Sequence, residues 1–315
     1  MLLRICVLGM LVVIGLGCSS PSSSVTMVGL PTEGNNDGER VQLVTTLYPL
    51  EFFANYIGGD LVEVKNLVAP GVEAHDFEPS PYHMRLMRSA DMILFNGAGF
   101  EPWMERALDG LNDDPRVVVE AARGLVDENE PEQNGVDSER LDPHVWLDLD
   151  NAARQVEKIR DALIQIAPDH ENEILTNAKN LLNELTQLDT EFRSGVEDCR
   201  MNTFVTSHSA FGHLADKYGL IQVPISGLSP ESELSPGTLA DLIVEIRNTG
   251  VDYVLAESTG SKRLSKTVAA EIGAEILPIH PLESLTLEQA TNGADFISLM
   301  RGNLTSLTVA LECTK

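Results

Sequence analysis

The chain has 315 residues, 43% hydrophobic and 22% charged, which is enough to bury a core and rules out global disorder. Asp and Glu outnumber Lys and Arg 48 to 22, a formal charge of −26 that repels phosphate backbones and excludes nucleic acid as a partner. Only one long apolar stretch is present, at the extreme N-terminus, so the chain is not a polytopic membrane protein.

Arg4 precedes an apolar run, Leu8 to Leu16, that ends at Gly17-Cys18. The run is too short and wrongly flanked to span a bilayer, and it predicts a signal peptide over residues 1–17. Cys18, followed by Ser19-Ser20-Pro21-Ser22-Ser23-Ser24, resembles a bacterial lipoprotein cleavage site. A lipid on Cys18 would anchor a flexible linker over residues 18–40. The expectation is an exported monomer tethered to a bacterial envelope membrane on the periplasmic side. Cys6 leaves with the signal, so Cys199 and Cys313 remain as an even pair in an oxidising compartment. No CxxC spacing makes them thiolate ligands, and a disulfide between them is expected.

From Val41 the chain alternates short β-branched runs with helical patterns, the sign of βαβ units and parallel sheets. Strands are predicted at Val41–Leu47, Leu61–Val68, Asp91–Asn96, Arg116–Val119 and Val145–Leu147. A second series follows at Asn202–Thr206, Gln222–Ile225, Val251–Ala256 and Ala274–Ile279. Between the series, a helix over roughly 151–167 gives way at Pro168-Asp169 to a second one, with Asp169 as its N-cap. Ile174, Leu181, Leu182, Leu185, Leu188 and Phe192 keep helical spacing along it. The predicted architecture is α/β: one lobe over 41–168, a long bridging helix over 169–198, and a second lobe over 199–315. The acidic segment 127–139 lacks apolar periodicity and predicts a surface loop.

Seven histidines sort by context. His75 lies in a loop after the second predicted strand, and His144 sits in LDPHVWLD. His208 and His280 each follow a predicted strand directly, where open α/β sheets gather ligand-binding groups. Two belong to each lobe, so all four can converge only in the cleft between lobes. His83, His170 and His213 are set aside. His213 falls about 140° round a helix from His208 and shares no face with it.

The segments AHDFEPSP, LDPHVWLD and VTSHSAFGHLADKYGL together resemble those of the solute-binding proteins of bacterial ABC transporters for zinc and manganese, the cluster A-I group. The resemblance covers residues 41–315. It implies two α/β lobes on one rigid helix, a metal between them, and delivery to a membrane permease. By motif, His75, His144 and His208 match the first three ligand positions. The fourth is commonly an aspartate followed by Pro-Leu, and His280 stands there in this sequence.

Four imidazoles favour Zn²⁺ over Mn²⁺, which prefers carboxylate oxygen, so a manganese receptor is the runner-up reading. Asp142 and Glu257 are expected beside the histidines, compensating the cation's charge. A secreted zinc hydrolase is the rival class. It requires an open coordination position for water, which four protein ligands would close, and HExxH and GxSxG motifs are absent. The expectation is therefore a receptor without catalytic residues.

Overall fold

The computed structural model describes residues 40–111, 116–126, 141–230, 234–257 and 262–314. The expected signal peptide, Cys18, the linker to residue 39 and the acidic segment 127–139 lie outside the described residues. Among the described residues no helix is long and apolar enough to cross a membrane.

The first lobe carries β1 (Val41–Thr45), α1 (Tyr48–Gly58), β2 (Val62–Asn66), α2 (Pro81–Ser89), β3 (Met92–Phe95), α3 (Met104–Asp109) and β4 (Val117–Glu120). Its sheet is wholly parallel in the order β2-β1-β3-β4. Two helices follow, α4 (Leu149–Ile166) and α5 (Glu171–Val196). The second lobe then comprises β5 (Thr203–Thr206), α6 (Gly212–Tyr218), β6 (Ile221–Pro224), α7 (Pro236–Thr249), β7 (Tyr253–Glu257), α8 (Arg263–Ile272), β8 (Glu275–Ile279), α9 (Leu287–Thr291) and α10 (Phe296–Ala310). Its sheet, β6-β5-β7-β8, is parallel and repeats the first topology. Both orders reverse direction beside the first strand of the lobe, which opens a crevice at the carboxyl ends of the strands.

The predicted strands appear with ends moved by a residue or two, except one. Val145–Leu147 forms a single 3₁₀ turn rather than a strand. Val145, Trp146 and Leu147 are fully buried, and a short apolar run buried on all sides reads alike in either conformation. The start of α5 also differs. Pro168–His170 forms a 3₁₀ turn, and the N-cap position is His170, without a side-chain capping bond. Pro168 fixes the tight turn, while Glu171 and Glu173 answer the helix dipole from its first turn.

At 26 residues α5 is about 39 Å long. Its buried stripe, Ile174, Ala178, Leu181, Leu185, Leu188 and Phe192, alternates steps of four and three, the spacing of one helix face. Along its first half, Asn177 Nδ2 donates to the Ile57 carbonyl at 3.1 Å and Glu184 accepts from Tyr56 Oη at 2.6 Å, which fastens it to α1. Further along, Phe192 stacks on Tyr218 of α6 and Glu191 pairs with Arg301 of α10. One helix thus holds both lobes, and a single hydrophobic cluster runs from Leu43 of β1 through α4 and α5 to Leu255 of β7 and Leu307 of α10. Just past α5, Cys199 forms a disulfide with Cys313 beyond α10. Backbone bonds from Met201 N to the Leu311 carbonyl and from Thr314 N to the Asp198 carbonyl flank it.

Candidate metal centre

His75 lies on the loop between β2 and α2, its ring 4.5 Å from that of Phe100. His144 immediately precedes the Val145–Leu147 turn and is fully buried. Asp142 Oδ1 accepts from both the backbone N–H of His144, at 3.0 Å, and its Nδ1, at 2.7 Å. This orients the ring so that Nε2 points inward. His208 stands two residues past β5 and is equally buried. Its Nδ1 meets Glu257 Oε1 at 2.7 Å, and Glu257 is the last residue of β7. That pair sits at the crevice where the order of the second sheet reverses.

The fourth group is Glu283, on the segment that follows β8. Its Oε1 lies 3.4 Å from His75 Nε2, 3.2 Å from His144 Nε2 and 3.3 Å from His208 Nε2. The Nε2 atoms of His75 and His144 are themselves 3.3 Å apart, and all four ligand atoms fall within 4.8 Å of one another. His208 Nε2 and Glu283 Oε1 are buried without a hydrogen-bond partner. Because Nδ1 of His144 and of His208 each donates to a carboxylate, Nε2 is the lone-pair nitrogen aimed at the centre once each ring has shed its second proton. Buried, convergent and unsatisfied donors of this kind suit a divalent cation.

The structure does not bring His280 into this cluster. Its Nε2 donates to Gln289 Oε1 of α9 at 3.0 Å, and its Nδ1 accepts from the Leu282 backbone N–H at 2.9 Å. Asn303 of α10 brackets its backbone, donating to the carbonyl at 2.7 Å and accepting from the N–H at 2.8 Å. With both ring nitrogens committed, His280 braces the turn, and Glu283 rather than His280 lies beside the three histidines. The cause is local. Leu282 adopts φ of 63°, a left-handed conformation that bulky residues rarely hold, and the chain reverses there. The signal available in the sequence was only an acidic residue three positions after His280, in a loop at a strand end.

The charges follow from this packing. Burial opposes a proton on His208, but Glu257 and Glu283 outweigh it and lift the ring to about 10. Burial likewise opposes a charged His144, and Asp142 with Glu283 overcomes it, so its pKa is raised. Burial would raise Glu283, yet the three surrounding histidines hold its carboxyl well below the usual range. Burial lowers the His280 pKa, which keeps that ring neutral. Burial, then Glu283, pushes nearby Glu73 up to about 7. The raised His144 and His208 and the lowered Glu283 thus favour their charged forms side by side. A cavity of about 320 Å³ lined by Phe100, Pro102, Pro143 and Leu228 opens beside His75, the least enclosed of the three histidines.

Two parallel α/β lobes on a single long helix, each giving two groups to one buried cluster that could hold a metal ion, are the features a two-lobed metal-binding protein needs. A family model described as zinc-uptake complex component A, periplasmic, matches residues 43–310, and the chain belongs to that family. It is 33% identical over 286 residues to the high-affinity zinc uptake system protein ZnuA of Bacillus subtilis (strain 168), covering 88% of this chain and 90% of that one. It is 34% identical over 290 residues to the zinc-binding lipoprotein AdcA of Streptococcus pneumoniae (strain R6), covering 89% of this chain but only 58% of that protein. The crystal structure of the Zn(II)-bound ZnuA-like domain of that AdcA superposes with a TM-score of 0.74 at 33% identity, covering 87% of this chain and 99% of that domain.

Proposed function

We propose that this protein is an extracytoplasmic receptor that captures Zn²⁺ with His75, His144, His208 and Glu283 and delivers it to the permease of an ABC transporter. The observation that carries the reading is the spacing of the cluster. A tetrahedral zinc at about 2.0–2.1 Å from each donor separates the donors by about 3.3 Å. Four of the six separations between these ligand atoms run from 3.2 to 3.4 Å, and all lie within 4.8 Å. Family membership and the zinc named in the relatives support the same conclusion.

Zn²⁺ is favoured over Mn²⁺ because three of the four donors are imidazole nitrogens. The Glu283 oxygen is the feature that speaks for manganese, and it brings that second reading nearer than an all-histidine shell would. Catalysis is disfavoured, since four protein ligands leave a tetrahedral ion no position for water. In this reading Cys18 carries a lipid that holds a monomeric receptor at the membrane beside its permease.

The test is the metal content of protein purified without chelators, followed by zinc and manganese in competition. One zinc per chain, not displaced by equal manganese, is the expected result. Preference for manganese, or turnover of ester or peptide substrates, would overturn it.

A further inference from the structure

His213 and Gly212 open α6 of the second lobe and touch none of the four ligating groups directly. Both bear on a residue of the first lobe that does. His213 Nε2 donates to the backbone carbonyl of Asp142 at 3.0 Å and lies 3.9 Å from its Oδ2. Gly212 faces the same carboxylate so closely that an added Cβ would stand 2.8 Å from Asp142 Oδ2. Asp142 in turn spends its other oxygen on His144, through both the backbone N–H and Nδ1. The carboxylate that aims a first-lobe ligand is therefore seated by a second-lobe helix.

We propose that His213 and Gly212 are positioning residues for metal capture. With α6 seated against Asp142, the His144 ring is locked with Nε2 toward the centre; with α6 withdrawn, Asp142 loses its carbonyl partner and the ring loses its fixed aim. Lobe apposition and ligand geometry are thereby coupled through one carboxylate. A side chain at residue 212 would displace that carboxylate oxygen, the group whose other oxygen holds His144. The inference rests on the reading of the cluster as a zinc site.

The experiment compares wild type with His213→Ala, His213→Gln and Gly212→Ala, and uses His170→Ala as control because that ring is exposed and only 3.6 Å from Glu173. Zinc dissociation constants, the visible spectrum of the Co²⁺-loaded proteins and thermal unfolding of the metal-free proteins are measured. Losing a partner that orients a metal-ligating histidine costs roughly 10–100-fold in affinity. His213→Ala and Gly212→Ala should fall in or near that range and alter the Co²⁺ spectrum. His213→Gln, which keeps a donor for the carbonyl, should recover most of the affinity. Unchanged zinc affinity and Co²⁺ spectra in both His213→Ala and Gly212→Ala would overturn the inference while leaving the zinc site standing. So would a loss of thermal stability with an unaltered spectrum and no rescue by glutamine. A wild type that binds no zinc would overturn the site and the inference together.

Discussion

Trp146 Nε1 donates to the carbonyl of Pro281 at 2.7 Å, a fully buried bond between residues 135 positions apart in the chain. It joins the turn that follows His144 to the turn that carries Glu283, so two of the ligating groups share a brace. Trp146→Phe keeps an aromatic ring but leaves the Pro281 carbonyl without its donor. Orphaning a buried acceptor costs about 1–3 kcal/mol. Denaturant unfolding of the metal-free protein should register that loss, together with weaker zinc binding; unchanged affinity would show that the brace does not control Glu283.

Glu283 and His280 separate cleanly by mutation. Glu283→Ala should weaken zinc binding by more than the roughly 10–100-fold typical of losing a residue that merely supports a ligand. His280→Ala should bind zinc with nearly wild-type affinity and instead destabilise the fold, because the His280 ring braces Leu282 and Gln289. Isothermal or competition titration of the two proteins decides it. The reverse ranking would return His280 to the metal.

The pH dependence should extend to higher pH than free imidazole would give. A ligating histidine must shed its proton, and His208 holds one up to about 10 while His144 is also raised. Zinc affinity should therefore keep rising through pH 7–9 instead of levelling off just above about 6.5, the ordinary imidazole value. For the metal-free protein the sign is opposite. A folded-state pKa above the unfolded one contributes stability below about 6.5 that is lost as pH climbs toward 10. Glu73, raised to about 7, acts in the same direction. Thermal scans should show the metal-free protein weakening between pH 7 and 10; a melting temperature that rises over this range would contradict the assignment.

The Cys199–Cys313 bond closes a loop with a sequence separation of 114. In the chain-entropy model such a loop contributes about 4–5 kcal/mol, an upper figure. Cys199→Ser with Cys313→Ser should lower the denaturant midpoint accordingly, and reductant should have no further effect on that variant. Equal midpoints for wild type and the double variant would show that the bond carries no stability.

Much of the architecture was legible from patterning. Short β-branched runs separated by helical periodicity specify parallel sheets, and the stripe from Ile174 to Phe192 specifies a long helix because both depend on spacing along the chain. The Val145–Leu147 turn was misread since burial on all sides removes periodicity, and Asp169 was misplaced as a cap since Pro168 started a tighter turn first.

The sequence alone pointed to the segments that carry His75, His144 and His208, and it put Asp142 and Glu257 near them, because each lies at a strand end or inside a distinctive motif. Only the tertiary structure placed Glu283 beside the three histidines and His213 against Asp142. Glu283 follows the left-handed Leu282, next to Pro281, whose carbonyl Trp146 holds, and to His280, whose backbone Asn303 holds, contacts far away in sequence. His213 reaches Asp142 from the opposite lobe, although it shares no helix face with His208. Helical angles and strand ends are local quantities that a sequence encodes directly. The direction of a side chain after a strained turn, or across a lobe boundary, is fixed by packing that exists only once the chain has folded.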